Sequence, residues 1–475
     1  MEGILLVTSH KASVVLDIEQ LLSQYGNSKN HHIGNAKSIL PFTASVSNPK
    51  IYNNLMHMYG EYVRKISGIE LDEKESLDLL SDSFIEKLIK KINFSHESDI
   101  AAFKEFYKSF FFDRKEIRPT HPYFYNLLGL DSKLEAKKFS SFLYDILLIP
   151  NNKFKKFFSS VEASDLLHEL LLTNIDFIVS NDKEHEPEYQ NLIPTIGELY
   201  RADIDFLLQH EKYFLKNFPL LTKFYMFMYV CQLMLKFEQF QNADFTSLDS
   251  FYFALDWESL SRRRNAATGP GSYRHIRESK EFLFPHVHTL SHLSHNTFEK
   301  SSGKKNKILT YPEIYGVLLK MNEEQQSLFL NSLKKWIEQY AQLGLKNNPV
   351  NIDLSDLSLQ NGFNKLHAAI TQGMNSSSRE RYGKNLEHIG KGEFLKARGN
   401  LGFVFNITSE FLLLLTAVSV KSDRIPLKHL FKEFRMRGIK FDYRSKREVV
   451  KFLESLNLID KKSDSGDAQY VNKIL

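Results

Sequence analysis

Four histidines, His286, His288, His292 and His295, fall close together, with His275 just upstream. Two separated by one residue and a third four later is a spacing that can converge on zinc through neutral imidazole nitrogens. A zinc-activated water there would suit a nuclease or phosphoesterase. No cysteine or acidic residue joins the run, however, and histidines beside a basic zone more often form a satisfied or solvent-facing polar group. The expectation is no metal and no cofactor, with a zinc site on His286, His288 and His292 kept as the enzymatic alternative.

Other catalytic patterns fail on spacing. Glu278-Ser279-Lys280 with Asp256 upstream could be forced into a nuclease carboxylate–lysine pattern, but that chemistry needs adjacent strands and this region does not read as strands. Gly303-Lys304-Lys305 lacks the earlier glycine and the following Ser or Thr of a P-loop. Gly269-Pro270-Gly271 has Arg274 where a dinucleotide fingerprint wants glycine. No Gly-x-Ser-x-Gly elbow occurs. The expectation is a chain without catalytic residues.

Basic side chains are distributed more informatively. Ser376 to Leu475 holds 20 Lys and Arg against 12 Asp and Glu, a net +8, although the whole chain is only +5. A positive segment on a near-neutral body is the electrostatic footprint of a nucleic-acid contact. A second basic stretch, residues 261–310, carries 10 Lys and Arg against 3 acids. Its cations include Arg262, Arg263, Arg264, Arg274, Arg277, Lys304, Lys305 and Lys307. A charge run is usually a solvated face; here it is also a candidate second nucleic-acid contact or a dock for an acidic partner.

The elements that must position these charges read as helices. At 475 residues the chain has room for more than one domain, and 42% hydrophobic content argues against wholesale disorder. Apolar positions recur every three to four residues at Phe84/Ile85, Leu88/Ile89 and Ile92, and at Phe103, Phe106/Tyr107 and Phe110. Ser164 to Phe177 and Tyr213 to Phe240 behave likewise, and Asn322 with Gln325 makes a capping box for a helix reaching Gly344. Only Ile4 to Thr8 hints at a strand. The most apolar stretch, Phe224 to Leu235, falls short of the ~20 residues a bilayer span needs and reads as a core helix. The single cysteine, Cys231, fits a reducing cytoplasm, and Met1 to Val15 makes a poor signal peptide. The expected class is mainly α: a multi-helix body over 1–359 with an irregular basic loop near 261–310, a Gly/Asn/Ser-rich linker over 360–402, and a small α plus β-hairpin domain over 403–475.

That last segment reads as a winged helix. Thr408 caps an apolar helix, Phe411 to Val420. Pro426 opens a second, and Gly438 stops it. Ser445-Lys446-Arg447-Glu448 is a capping-box pattern for a third helix. There, Val449, Leu453 and Leu456 share one face, and Arg447 and Lys451 share the opposite one. Leu458 to Lys462 and Ala468 to Val471 then flank the turn residues Ser463 to Asp467 as a hairpin. In such a fold the third helix enters the major groove and the hairpin approaches the backbone. The candidate DNA contacts are Arg444, Lys446, Arg447 and Lys451 on the helix, with Lys461 and Lys462 on the hairpin.

These residues also resemble a known family. Gly399-Asn400-Leu401-Gly402-Phe403, the block Pro426 to Arg444 and the tail Leu458 to Val471 are similar to the C-terminal signature of DptG, the G component of the DNA-phosphorothioation-dependent restriction system. Leu255-Asp256-Trp257-Glu258-Ser259-Leu260-Ser261 is a second point of similarity. The likeness covers about 80 C-terminal residues in detail and is general elsewhere. It implies a bacterial defence subunit acting beside DptF and DptH on double-stranded DNA that lacks the sulfur mark, with no catalytic residues to carry over. The resulting expectation is a non-catalytic, cytoplasmic, DNA-engaging subunit. A zinc hydrolase and a pure assembly scaffold, whose winged helix binds partner subunits, remain the alternatives.

Overall fold

Apolar residues at helical spacing do become helices. The computed structural model describes residues 15–26, 38–42, 55–72, 78–113, 115–130, 134–148, 152–163, 165–181, 185–295, 308–343, 349–461 and 469–475, and these are mainly helical. Asp82–Ile89 buries Ile85 and Leu88, while Glu97–Phe111 buries Tyr107 and Phe111. The Asn322–Gln325 capping box forms with both of its hydrogen bonds, at 2.9 and 3.3 Å. Ile4 to Thr8, Ser301 to Lys307, Gly344 and Lys462 to Asp467 lie outside the described residues.

The chain divides into two compact units. One takes Asn48–Glu188 and Ile196–Met226. In it, helix Leu55–Ser67 runs so close to a neighbouring turn that a Cβ on Gly60 would lie 2.0 Å from the Leu128 carbonyl oxygen. Buried Arg64 on the same helix donates to the carbonyls of Asn126 and Leu128 at 2.6 and 2.9 Å. Farther along, Pro219 interrupts the hydrogen-bond ladder of a long helix, α1 (Glu211–Glu238), because proline has no N–H to give Leu215. The Tyr125 hydroxyl supplies the missing donor, 2.6 Å from the Leu215 oxygen. By length and composition α1 is apolar enough to cross a membrane, but 89% of its apolar window is buried inside the protein, as in a core helix.

The other unit takes the described residues within Met1–Ser47, Tyr189–Thr195 and Phe227–Ile474. Its elements continue with β1 (Phe251–Tyr252), β2 (Ala254–Leu255), α2 (Asn265–Thr268), α3 (Tyr273–Ser279), α4 (Leu283–Leu293), α5 (Tyr311–Leu318) and α6 (Glu323–Gln342). The stretch expected as a linker, 360–402, instead folds into α7 (Gly362–Gly373), α8 (Ser376–Gly390) and β3 (Leu395–Ala397). Its glycines serve close packing. A Cβ on Gly383 would meet the Lys280 carbonyl at 2.4 Å, and one on Gly390 would meet the Phe227 ring at 2.5 Å.

After β4 (Phe403–Ile407) come α9 (Ser409–Val420), β5 (Ile425–Pro426), α10 (Leu427–Met436), β6 (Ile439–Lys440), α11 (Tyr443–Ser455), β7 (Ile459–Lys461) and β8 (Gln469–Val471). Thr408 caps α9 by accepting from the Phe411 N–H, as its sequence position suggests. Strands β7 and β8 pair antiparallel, with Asp460 opposite Tyr470, and β8 also pairs with β5. The segment does not stand apart from the body. Strand β1 pairs in parallel with β6, and β2 pairs in parallel with β4. Phe251, Phe253 and Tyr273 all stack around Phe405, with ring centroids 4.9–5.3 Å apart. The described residues of 403–474 share one unit, and one aromatic core, with 249–273.

Candidate nucleic-acid interface

Helix α11 begins at Tyr443, three residues earlier than the Ser445 capping pattern suggests. Asp442 is its cap, accepting from the Ser445 N–H at 3.0 Å. The Ser445 hydroxyl cannot cap because it is buried and committed elsewhere, donating to Glu258 Oε1 at 2.7 Å and accepting from Arg264 Nη2 at 2.7 Å. Gly438, at φ +78°, supplies the expected left-handed stop before the helix.

Arg264 is the hub of this anchor. Its Nε and Nη2 donate to the two carboxylate oxygens of Asp442 at 2.9 and 2.7 Å. Nη2 also reaches Glu258 Oε1 at 3.1 Å, and Nη1 the Ser259 carbonyl at 2.9 Å. Burial would disfavour the guanidinium's charge, yet the two carboxylates outweigh it and hold the proton more firmly. At Asp442 burial would likewise raise the pKa, and the Arg264 and Ser445 donors overcome it. Arg264 is thus buried structure and not part of an exposed basic patch.

The pattern of α11 then sorts its faces. Val449 and Leu453 are buried, whereas Arg444, Lys446, Arg447 and Lys451 are exposed. Leu456, expected in the core, lies just past the helix end and is 44% exposed. Lys451 pairs with Glu448 at 2.8 Å, and the Arg447 guanidinium sits 6.0 Å from the ring centre of Tyr443, itself 75% exposed. Phe452 packs against Trp257, at 5.0 Å between ring centroids. Lys461 is the last residue of β7, and Lys462 lies outside the described residues.

Within the second basic zone, Arg262 and Arg263 are exposed, and Arg274 is exposed beside Glu278 at 3.2 Å. Lys304 and Lys305 lie outside the described residues. The zone is not an irregular loop up to His295, because α2, α3 and α4 occupy it. Arg398, which composition alone did not single out, is half-buried and donates to the carbonyls of Leu255, Asp256 and Glu258 at 2.8–3.2 Å. The sequence does not single out Asp442 and Glu258 as anchors; each is a carboxylate within four residues of a basic run.

The histidines sit on a buried helix, α4, and not in a loop. At about 100° per residue His286 points away from His288 and His292. His286 Nδ1 lies 2.9 Å from the Tyr311 hydroxyl, its ring stacks on His367 at 4.0 Å, and burial pushes its pKa down to about 3. His292 Nδ1 accepts from the Trp336 indole at 3.2 Å. His295 donates through Nδ1 to the His292 carbonyl and accepts the Asp17 N–H at Nε2, and burial lowers its pKa against the raising effect of these contacts. Among the described residues no three His, Cys, Asp or Glu side chains are grouped as metal ligands. Glu278, Lys280 and Asp256 are likewise engaged separately, with Arg274, Glu387 and Lys396.

No protein family matches the chain, and no curated protein is significantly similar to it.

Proposed function

We propose that the chain is a non-catalytic, DNA-engaging subunit of a bacterial restriction assembly, with α11 as its duplex-facing element. The order α9, β5, α10, α11, β7, β8, with β8 between β7 and β5, supports a winged-helix reading of the C-terminal segment. The observation that carries the proposal is where the cations stand on α11. Arg444 and Lys446 fall in its first turn, which contains no acidic residue, and the last turn contains no basic one. That arrangement opposes the helix dipole and costs a few tenths of a kcal/mol per charge in the free protein. The helix end is already capped by the Asp442 carboxylate, so these side chains, and not the backbone N–H groups, would meet a phosphate. Charges placed against local stability, on a helix start pinned by a buried network, fit a surface selected for an anionic partner.

By its resemblance to DptG, the assembly would include DptF and DptH and act on duplex lacking the sulfur mark. The test is titration of a duplex into wild-type protein and the Arg444→Ala, Lys446→Ala, Arg447→Ala, Lys451→Ala variant across a salt series. Wild type should show a steep salt dependence that the variant loses. Unchanged DNA affinity, with loss of co-purifying partner subunits, would replace this reading by that of an assembly scaffold. Exposed Met436 and Leu456, 48% and 44% accessible near the ends of α10 and α11, are the surface that such a scaffold would use.

A further inference from the structure

Beside α2 and α3 lies a depression of about 250 Å³ lined by Arg262, Ala267, Thr268, Arg274, Arg277, Asn400 and Leu401. Three guanidinium groups share this lining and no carboxylate does. Arg274 has an exposed partner, Glu278, at 3.2 Å. Neither Arg262 nor Arg277 pairs with a carboxylate among the described residues. Three like charges around one hollow repel unless an anion occupies it.

The backbone holds the hollow open. Thr268 Oγ1 donates to the Arg262 carbonyl at 2.9 Å, tying the arginine run to the end of α2. Gly402, at φ +69°, closes the turn that carries Asn400 and Leu401, and a Cβ there would come within 2.9 Å of Arg277 Nη1. Glycine thus leaves the Arg277 fork its room. The volume is below the ~300 Å³ at which small-molecule pockets begin, so it suits one oxyanion group and not a whole buried nucleotide. Guanidinium forks match phosphate oxygens in pairs, and the Asn400 amide adds a neutral donor.

We propose that this depression binds a phosphate oxyanion through Arg262, Arg274 and Arg277. The phosphate can come from a nucleic-acid backbone, which would deepen the DNA reading, or from free phosphate. None of the three arginines belongs to α11, so the two proposals fail separately.

The test is thermal denaturation in inorganic phosphate against chloride at equal ionic strength, together with duplex binding. The proteins compared are wild type, Arg262→Ala, Arg277→Ala and Arg277→Lys, each checked for native circular dichroism. Phosphate should stabilise wild type, and each Ala variant should bind phosphate roughly tenfold more weakly. Arg277→Lys should fall with the Ala variants, because it keeps the charge and loses the fork. A parallel loss of duplex affinity, with phosphate competing, assigns the site to the DNA backbone; an unchanged duplex affinity assigns it to free phosphate. Absence of a phosphate effect on wild type, or Arg277→Lys behaving as wild type, would overturn the site. Loss of duplex binding confined to the α11 variant would leave the DNA reading standing without it.

Discussion

Arg264 holds both carboxylate oxygens of Asp442 across 178 residues of sequence. The pair joins the two basic regions that the sequence keeps apart. Two residues from one end stands exposed Arg262, and two residues from the other stands exposed Arg444. Arg264→Ala would leave Asp442 and Glu258 buried without their cation, and removing one partner of a buried pair costs about 3–5 kcal/mol. Urea unfolding should register that loss, with Arg264→Lys intermediate because an ammonium cannot bridge both oxygens. A loss under about 1 kcal/mol would show the pair to be incidental.

Glu448 restrains a candidate DNA contact. It holds Lys451 at 2.8 Å on the exposed face of α11, in a solvent-screened pair of little worth to stability. Glu448→Gln should therefore leave the melting temperature nearly unchanged and tighten duplex binding several-fold at low salt. Lys451→Ala should lower the salt slope by about 1. An unchanged slope would take Lys451 off the DNA-facing surface.

The buried histidines set an acid limit on the fold. Burial depresses His286 to about 3 and His367 well below its usual value, so the fold holds both neutral. An unfolded histidine takes up its proton near 6.5, so the stability they contribute is full above that pH. It is lost progressively as pH falls from about 6.5 towards 3. Glu238, raised by its burial, acts with the opposite sign and offsets part of the loss. Melting temperature should fall as the protein is acidified from pH 7 to 4. His286→Gln should flatten that dependence by up to about 1.4 kcal/mol per pH unit. Superimposable profiles would mean His286 does not stay neutral.

Tyr125 compensates for a proline. Its hydroxyl satisfies the Leu215 carbonyl that Pro219 leaves without a helical donor. Tyr125→Phe keeps the ring and strands that oxygen, at a cost of about 1–3 kcal/mol. Adding Pro219→Ala restores the donor, so the double variant should recover stability that neither change predicts alone. Additive losses in the double-mutant cycle would refute the link.

Local chemistry was legible where the sequence carried it locally. Thr408, Gly438, the Asn322–Gln325 box, the β7–β8 hairpin, and the exposure of Arg447 and Lys451 opposite Val449 and Leu453 follow from caps, turns and helical period. Ser445 misled because its hydroxyl serves Glu258 and Arg264, partners 187 and 181 residues away. The stretch 360–402 misled because close-packed glycines look, in composition, like flexible ones. Phe251 to Leu255 gave no strand signal because two-residue strands are too short to show alternation. For the histidine run, satisfied side chains were among the expected readings, but its place on a helix was not: spacing gives no hint of burial, and α4 is buried along its whole length.

The parallel pairings of β1 with β6 and β2 with β4 also bear on how the chain acquires its structure. Each joins residues separated by more than 150 positions, so a large loop must close before either contact repays its entropy. During synthesis Phe251 and Phe253 emerge long before Phe405 and Ile439 exist to cover them. The segment that carries the proposed DNA surface is synthesised after the residues it covers, and its docking buries the aromatic centre of its unit. A slow, late refolding phase reported by Trp257, which packs on Phe452, is the kinetic signature of that order.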